Sequence, residues 1–334
     1  MKPWLWIPPQ IAHDLSPWAV EFYSLFHDER TPLWSSFSWQ NLHFKNRLGL
    51  AGGVDKNADH LMAWQKIGCG FIEAGTVTLN PQLANPGKIF DRSLSDQALW
   101  NKMGFPSAGV EEFYYNARAY KSTSDLPLFI NIGKNRDTST EKASTDYVAL
   151  IHHLHSVADA FVVNISSPNT KGLRDITQPE VFANFLQPIQ QAQNHFEQRK
   201  PILLKLSPDL FADDLKRVLD ISVEYGVNGF VLTNTTLSRA TQKNFSTEGG
   251  VSGKPLAELS KKVLYETIRH LGPEKSKKLL ISVGGVMTAA DVFERIALGA
   301  DLVEVYSALI FSGLHFFRKV AKQAHESTQR LQEF

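Results

Sequence analysis

Eight short apolar runs, most of them separated by longer amphipathic stretches, constrain this chain more than any other feature. They cover residues 48–51, 70–77, 128–133, 160–166, 202–206, 229–233, 279–283 and 301–306. Runs that are apolar at nearly every position suit parallel strands buried on both faces rather than half-exposed antiparallel ones. Residues 212–225 and 289–298 are examples of the helical stretches between them. The gap between the second and third runs is the longest and requires extra structure. Eight β-then-α units predict an α/β fold of the TIM (β/α)8 barrel type in preference to an open sheet.

The ends of these runs carry the chemistry. They finish in Gly52, Gly53, Val54, Asp55 and Lys56, in Thr76, Asn131, Asn164 and Lys205, in Thr233 and Asn234, in Gly284 and Gly285, and in Tyr306 and Ser307. A barrel gathers all of these on its C-terminal face, where active sites are built. One polar strand end means little, but eight together predict a polar pocket.

The first 40 residues differ from the rest. Five of the seven tryptophans (Trp4, Trp6, Trp18, Trp34, Trp39) lie there beside Phe22, Tyr23, Phe26 and Phe37, so this part is read as a separate aromatic segment. Ser16-Pro17 predicts an N-cap with proline at the first helical position, followed by an apolar face of Trp18, Phe22, Leu25 and Phe26. Residues 9–15 are expected to make a second short helix. The predicted organisation is a small helical extension over 1–40 and a barrel domain over 41–334.

Charge and cysteine usage exclude several classes. With 35 Lys+Arg against 34 Asp+Glu the net charge is +1, so no basic excess exists to make nucleic acid a main partner. A single cysteine, Cys69, excludes a disulfide framework and any multi-cysteine metal site. No stretch approaches the roughly 18 apolar residues that a membrane span needs. Residues 1–10 (MKPWLWIPPQ) do not read as a signal peptide, so the chain is expected on the cytoplasmic side.

Within the predicted pocket, Ser282-Val283-Gly284-Gly285 and Tyr306-Ser307-Ala308 stand after the seventh and eighth strands, where barrels commonly bind phosphate. Gly249-Gly250-Val251-Ser252-Gly253 could add further backbone amides. Lys56 and Lys205 suit either a Schiff-base nucleophile or a fixed positive charge. Lys205 sits among apolar neighbours and therefore needs an anionic or acceptor partner, which a flavin or an anionic substrate would supply. The loop from Asn164 through Arg174 places no histidine or carboxylate beside its serines, so no hydrolase triad is visible. From the residues alone, a phosphate-binding aldolase or lyase using Lys205 stays open.

Longer motifs narrow the choice. Ser166-Ser167-Pro168-Asn169-Thr170 with Gly172-Leu173-Arg174, Thr233-Asn234-Thr235-Thr236, and Asn101-Lys102-Met103-Gly104-Phe105 together resemble dihydroorotate dehydrogenase, most closely the class 2, quinone-dependent, membrane-associated branch. Gly75-Thr76-Val77-Thr78, Asn131-Ile132-Gly133-Lys134-Asn135 and Ser252-Gly253-Lys254-Pro255-Leu256 support it. The likeness runs in order over roughly residues 45 to 320.

The resemblance implies oxidation of dihydroorotate to orotate in pyrimidine biosynthesis, with one FMN as hydride acceptor and a quinone as final acceptor. It implies that Gly52, Gly53, Val54, Asp55, Lys56, Thr76, Asn131, Asn164, Lys205, Thr233, Gly253, Gly285, Tyr306 and Ser307 hold FMN. Lys56, Asn101, Lys102, Met103, Gly104, Phe105, Asn164, Asn169, Asn234 and Thr235 would hold the pyrimidine. Ser167 would be the catalytic base; class 1 relatives use a cysteine, but Cys69 precedes the second strand and would lie at the far end of the barrel. No metal is implied. The N-terminal segment would form a quinone tunnel lying on the bilayer, with His13 near the quinone, on a monomeric peripheral protein at the cytoplasmic face of a bacterial-type cell membrane. The family's Pro-Arg-aliphatic-Phe-Arg run is here Gly87-Lys88-Ile89-Phe90-Asp91-Arg92, which makes Arg92 the candidate for the arginine near the quinone. Residues 171–178 are expected to act as a lid.

Overall fold

All eight predicted runs are strands of one closed parallel barrel in a computed structural model that describes residues 2–27 and 31–332. The barrel strands are β1 (Leu48–Leu50), β2 (Ile72–Val77), β3 (Leu128–Ile132), β4 (Ala160–Asn164), β5 (Ile202–Leu206), β6 (Gly229–Leu232), β7 (Leu279–Val283) and β8 (Leu302–Val305). Each pairs with its neighbours in sequence, and β8 closes on β1. The register sets Asn164 of β4 opposite Lys205 of β5, and Gly75 of β2 opposite Asn131 of β3.

Side chains alternate along every strand, which explains the nearly continuous apolar runs. In β4, Phe161 and Val163 join the layer under the surrounding helices, whereas Ala160 and Val162 fill the barrel interior. A hairpin, Phe37–Trp39 with Leu42–Phe44, precedes β1, and its Phe44 packs edge-on against Phe71 and Phe129 with ring centroids 5.7 and 6.1 Å away. The polar ends of the strands point the opposite way.

The long β2–β3 gap holds two antiparallel strands, Phe90–Ser93 and Ala98–Asn101, before the helix Val110–Lys121. A third strand, Gly250–Gly253, comes from the β6–β7 connection and pairs with Ala98–Asn101. This small sheet stands over the C-terminal face and brings Asn101 opposite Gly250.

The N-terminal segment differs from expectation in one respect. A 3-10 turn, Pro3–Trp6, leads into one continuous helix, α1 (Pro9–Ser24), where two were predicted at a break before Pro17. Pro9 occupies the first helical position and Pro17 lies inside. Pro17 has no N–H to give to the carbonyl four residues back, that of His13. Ser16 Oγ donates to that carbonyl instead, at 2.7 Å. The serine read as a cap thus repairs the helix it was expected to start.

Val20 and Ser24 bury the inner side of α1, which packs on the helix Leu61–Ile67 and on the strand Phe90–Ser93. Glu21 pairs with His60 at 2.7 Å. The outer side leaves Trp18 77% and Phe22 64% exposed, and Trp6, Leu25 and Phe26 are exposed with them. Residues 1 and 28–30 of the expected 1–40 segment lie outside the described residues. Among the described residues, no helix is long and apolar enough to cross a membrane.

Candidate active site

The strand ends and the small sheet line a pocket that is open at its mouth. Its wall at β1 and β2 is Gly52, Gly53, Lys56 and Thr76; the floor is Lys205 with Thr233. Gly285, Tyr306 and Ser307 form the side after β7 and β8, joined by Gly284, Ser252 and Leu256. Asn101, Met103 and Phe105 reach in from the β2–β3 excursion. Asn164, Ser167, Asn169, Asn234 and Thr235 complete the opposite wall.

Six of the predicted residues stand outside this lining: Val54, Asp55, Asn131, Lys102, Gly104 and Gly253. Asp55 is buried and turned into its own loop, where its carboxylate accepts the Asp59 and His60 N–H groups, both at 2.9 Å. Burial outweighs those bonds and pushes it up to about 6. Lys102 pairs with Glu248 at the surface. Gly253 has φ +87, and a Cβ there would run into the Gln97 carbonyl, so glycine is required to turn the chain into the wall.

Asn131 acts from behind the wall. Its Nδ2 donates to Glu73 at 2.6 Å, and its Oδ1 accepts from Asn164 Nδ2 at 3.2 Å. Asn164 also donates to Thr76 Oγ1 at 3.2 Å and accepts from Asn234 at 3.3 Å. Asn234 donates in turn to Ser166 Oγ at 3.0 Å. Amides both donate and accept, so such a chain fixes which face each one shows the pocket.

Ser167 is buried at the pocket wall, and its Oγ accepts the Asn169 N–H at 3.2 Å. Its loop is braced from below by Arg174, which donates to the carbonyls of Ser166 (2.9 Å) and Thr235 (3.2 Å) and pairs with Asp209 at 2.9 Å. Leu173 and Ile176 are fully buried in a 3-10 turn, Leu173–Thr177. Within the expected lid, 171–178, these two side chains are anchored, whereas Lys171, Asp175 and Gln178 are exposed. Cys69 lies just before β2, away from the pocket, and burial holds its thiol well above the ordinary range.

Two lysines behave differently. Lys56 stands in the wall half-buried, and burial pushes its ammonium down to about 8, a setting that an anion in the pocket would reverse. Lys205 already has protein partners: Glu73 Oε1 at 2.6 Å and Glu304 Oε2 at 3.9 Å, both carboxylates fully buried. Burial would lower Lys205, but the charge and hydrogen bond of Glu73 lead the interactions that overcome it and raise it. An amine held so firmly protonated is a poor Schiff-base nucleophile. The two glutamates do not stand out in the linear chain. Their signal was the one that flagged Lys205, a charged residue inside a run of buried apolar ones.

The N-terminal segment is tied to the small sheet and to the helical turn after β8. Arg92 donates to the carbonyls of Leu5, at 2.6 Å, and Ile7, tying the first turn to the small sheet. Trp4 Nε1 donates to the Ile310 carbonyl at 2.8 Å. His13 rests on Phe90, ring centroids 4.4 Å apart, and burial together with the Lys56 charge pushes it down to about 4.

Similarity to known proteins decides the family. A family model described as dihydroorotate dehydrogenase matches residues 36–327. The dihydroorotate dehydrogenase (quinone) of Mycolicibacterium smegmatis is 42% identical over 276 residues, covering 81% of this chain and 75% of that protein. The enzyme of the same name from a strain of Thermus thermophilus is 37% identical over 330 residues, covering 94% and 92%. The chain belongs to the dihydroorotate dehydrogenase family. Dihydroorotate dehydrogenase of Eimeria tenella, solved in complex with ferulenol, superposes with a TM-score of 0.87 at 30% identity over 98% of this chain and 93% of that one. At 98% coverage that superposition extends into the N-terminal segment as well as over the eight strands.

Proposed function

We propose that the chain oxidises (S)-dihydroorotate to orotate in pyrimidine biosynthesis, with FMN as its flavin and a quinone as the final acceptor. The observation that carries this reading is the convergence of Asn101, Asn164, Asn169 and Asn234 with Lys56 and Ser167 around one pocket. A planar ring bearing amides and a carboxylate needs donors, acceptors and one cation in this combination. Asn169 Oδ1 is buried without a partner, so the wall holds an acceptor that a ring N–H would satisfy.

The pocket also suits a flavin. The glycine and serine loops after β7 and β8 fit the phosphate, Thr76 and Asn164 fit the ring edge, and the Lys205 ammonium lies at the floor. FMN, when bound, supplies the two-electron acceptor for the hydride that leaves C6. Ser167 takes the proton from C5. A serine is a weak base at its free pKa, so a water path must carry that proton outward. Lys56 holds the carboxylate, and the asparagines hold the ring amides against the wall.

The quinone reaches the site beneath α1, past His13, Phe90 and Arg92. The exposed aromatic face, from Trp6 through Trp18, Phe22 and Phe26, lies in the interface of the cytoplasmic leaflet. The protein acts as a monomer attached to that surface.

The test is dihydroorotate-driven bleaching of the purified yellow protein, with quinone and fumarate offered separately. Reoxidation by quinone is expected. Reoxidation by fumarate alone would refute the quinone reading, and a colourless protein that FMN does not restore would refute the flavin reading.

A further inference from the structure

Three ionisable side chains meet inside the barrel at the pocket floor, contributed by strands spaced around its circumference: Glu73 from β2, Lys205 from β5 and Glu304 from β8, of which Lys205 and Glu304 line the pocket. Both glutamates are wholly buried and Lys205 is nearly so. Two carboxylates share one ammonium there. With both ionised, the interior would hold an uncompensated negative charge, which a dry site does not tolerate.

The hydrogen bonds distinguish the two acids. Glu73 Oε1 accepts from Lys205 Nζ and from Asn131 Nδ2, each at 2.6 Å, which stabilises an anion. Gly52 makes room for this arrangement, because a Cβ at that position would strike Glu73 Oε1. Glu304 has no hydrogen-bond partner at either oxygen and stands 3.9 Å from the ammonium. Glu73 Oε2 is also unpartnered. The polar groups that adjoin the cluster from the neighbouring strands are neutral: Asn131 from β3, bonded to Glu73, and Asn164 from β4, bonded to Asn131. The nearest further titratable groups in the pocket, Lys56 and Tyr306, belong to its wall.

We propose that Glu304 is a neutral carboxylic acid in the working enzyme, holding the single extra proton of a Glu73–Lys205–Glu304 cluster, and that the cluster is a positioning device that sets the charge Lys205 presents at the pocket floor. The acid hydrogen of Glu304 has one free acceptor on the ionised Glu73, its Oε2, and the cluster as a whole is electrically neutral. Burial, and then the Glu73 charge, drive the Glu304 carboxyl well above the usual carboxylate range, in agreement with this assignment. The effect on a flavin above Lys205 rests on the function proposed here; the protonation of Glu304 does not.

Infrared spectroscopy of the full chain at pH 7.5, where Asp55 is ionised, tests the first part. A carboxylic-acid C=O stretch is expected in the wild type and is lost in Glu304→Gln. Glu73→Gln also loses it, because Glu304 then becomes the only counter-ion of Lys205 and ionises. Absence of the band from the wild type overturns the proposal without any variant having to fold. So does a band that survives Glu304→Gln, or one lost only in Glu73→Gln.

The midpoint potential of bound FMN tests the second part. Glu304→Gln replaces one neutral group by another and leaves the potential unchanged. Glu73→Gln moves the cluster's one negative charge from Glu73, behind the wall, to Glu304, which lines the pocket. The potential then falls by at least a tenfold preference for the oxidised flavin, about 30 mV for a two-electron couple. A shift of that size in Glu304→Gln, or none in Glu73→Gln, overturns the positioning role. Protein that binds no FMN would instead refute the flavin reading, and the infrared result would still stand.

Discussion

Asn169 donates from Nδ2 to Asn101 Oδ1 at 3.0 Å and so joins the loop after β4 to the small sheet above the pocket. These two residues are 68 positions apart, and neither belongs to a barrel strand. The bond orients both amides before any ligand arrives, leaving Asn169 Oδ1 unpartnered for it. Replacing either residue by alanine is expected to weaken orotate binding by about 1–3 kcal/mol, as for a buried polar group left without its partner. The double variant should lose less than the sum of the two. Orotate titrations of the four proteins measure the coupling.

Ser167→Ala removes the only side-chain atom assigned to proton transfer. Anaerobic bleaching by dihydroorotate should slow by about 10²–10⁴-fold, the usual worth of a positioned base. Orotate affinity and quinone reoxidation of pre-reduced protein should stay near wild type. Stopped-flow absorbance separates the two half-reactions.

Lys56 makes anion binding depend on pH. Its ammonium lies at about 8 in the free protein and at 10.5 when unperturbed, and a bound carboxylate favours the charged form. Between those values orotate therefore binds with uptake of a proton, and its affinity should fall about tenfold per pH unit above 8. In the absence of ligand the sign reverses. Burying the ammonium costs stability below pH 8, and that cost fades as pH rises toward 10.5. Calorimetric titrations in two buffers of different ionisation enthalpy report the proton, and Lys56→Met should abolish it.

Arg174 holds the base loop by three bonds to two different loops and an aspartate. Arg174→Ala is expected to cost about 2 kcal/mol in urea unfolding, discounted for the partial exposure of the pair. Arg174→Lys should recover little, because one ammonium cannot span the same three acceptors.

Arg92→Ala frees the carbonyls of Leu5 and Ile7 and should loosen the first turn from the small sheet. The expected result is slower reoxidation by quinone with unchanged bleaching. Binding to anionic lipid vesicles should persist, since the exposed face of α1 is untouched, whereas Trp18→Ser with Phe22→Ser should weaken it. Vesicle co-sedimentation distinguishes these variants.

Much of this protein was legible in the linear chain, because local repetition carried the information. Strand length, apolar continuity and polar strand ends recur eight times, and that repetition is enough to specify a closed barrel and the end at which its pocket lies. Motifs such as Ser166 to Thr170 are contiguous, so they identified the family and placed Ser167 without any coordinates. What only the tertiary structure decided were relationships among distant single residues. Ser16 and Pro17 read as a helix start, and only the packing of α1 on the barrel showed the serine replacing a donor within one helix. Lys205 plainly needed an anion, but 132 residues separate it from Glu73. Barrel closure alone brings β2, β5 and β8 to a common interior, where low dielectric makes an anionic partner for Lys205 obligatory.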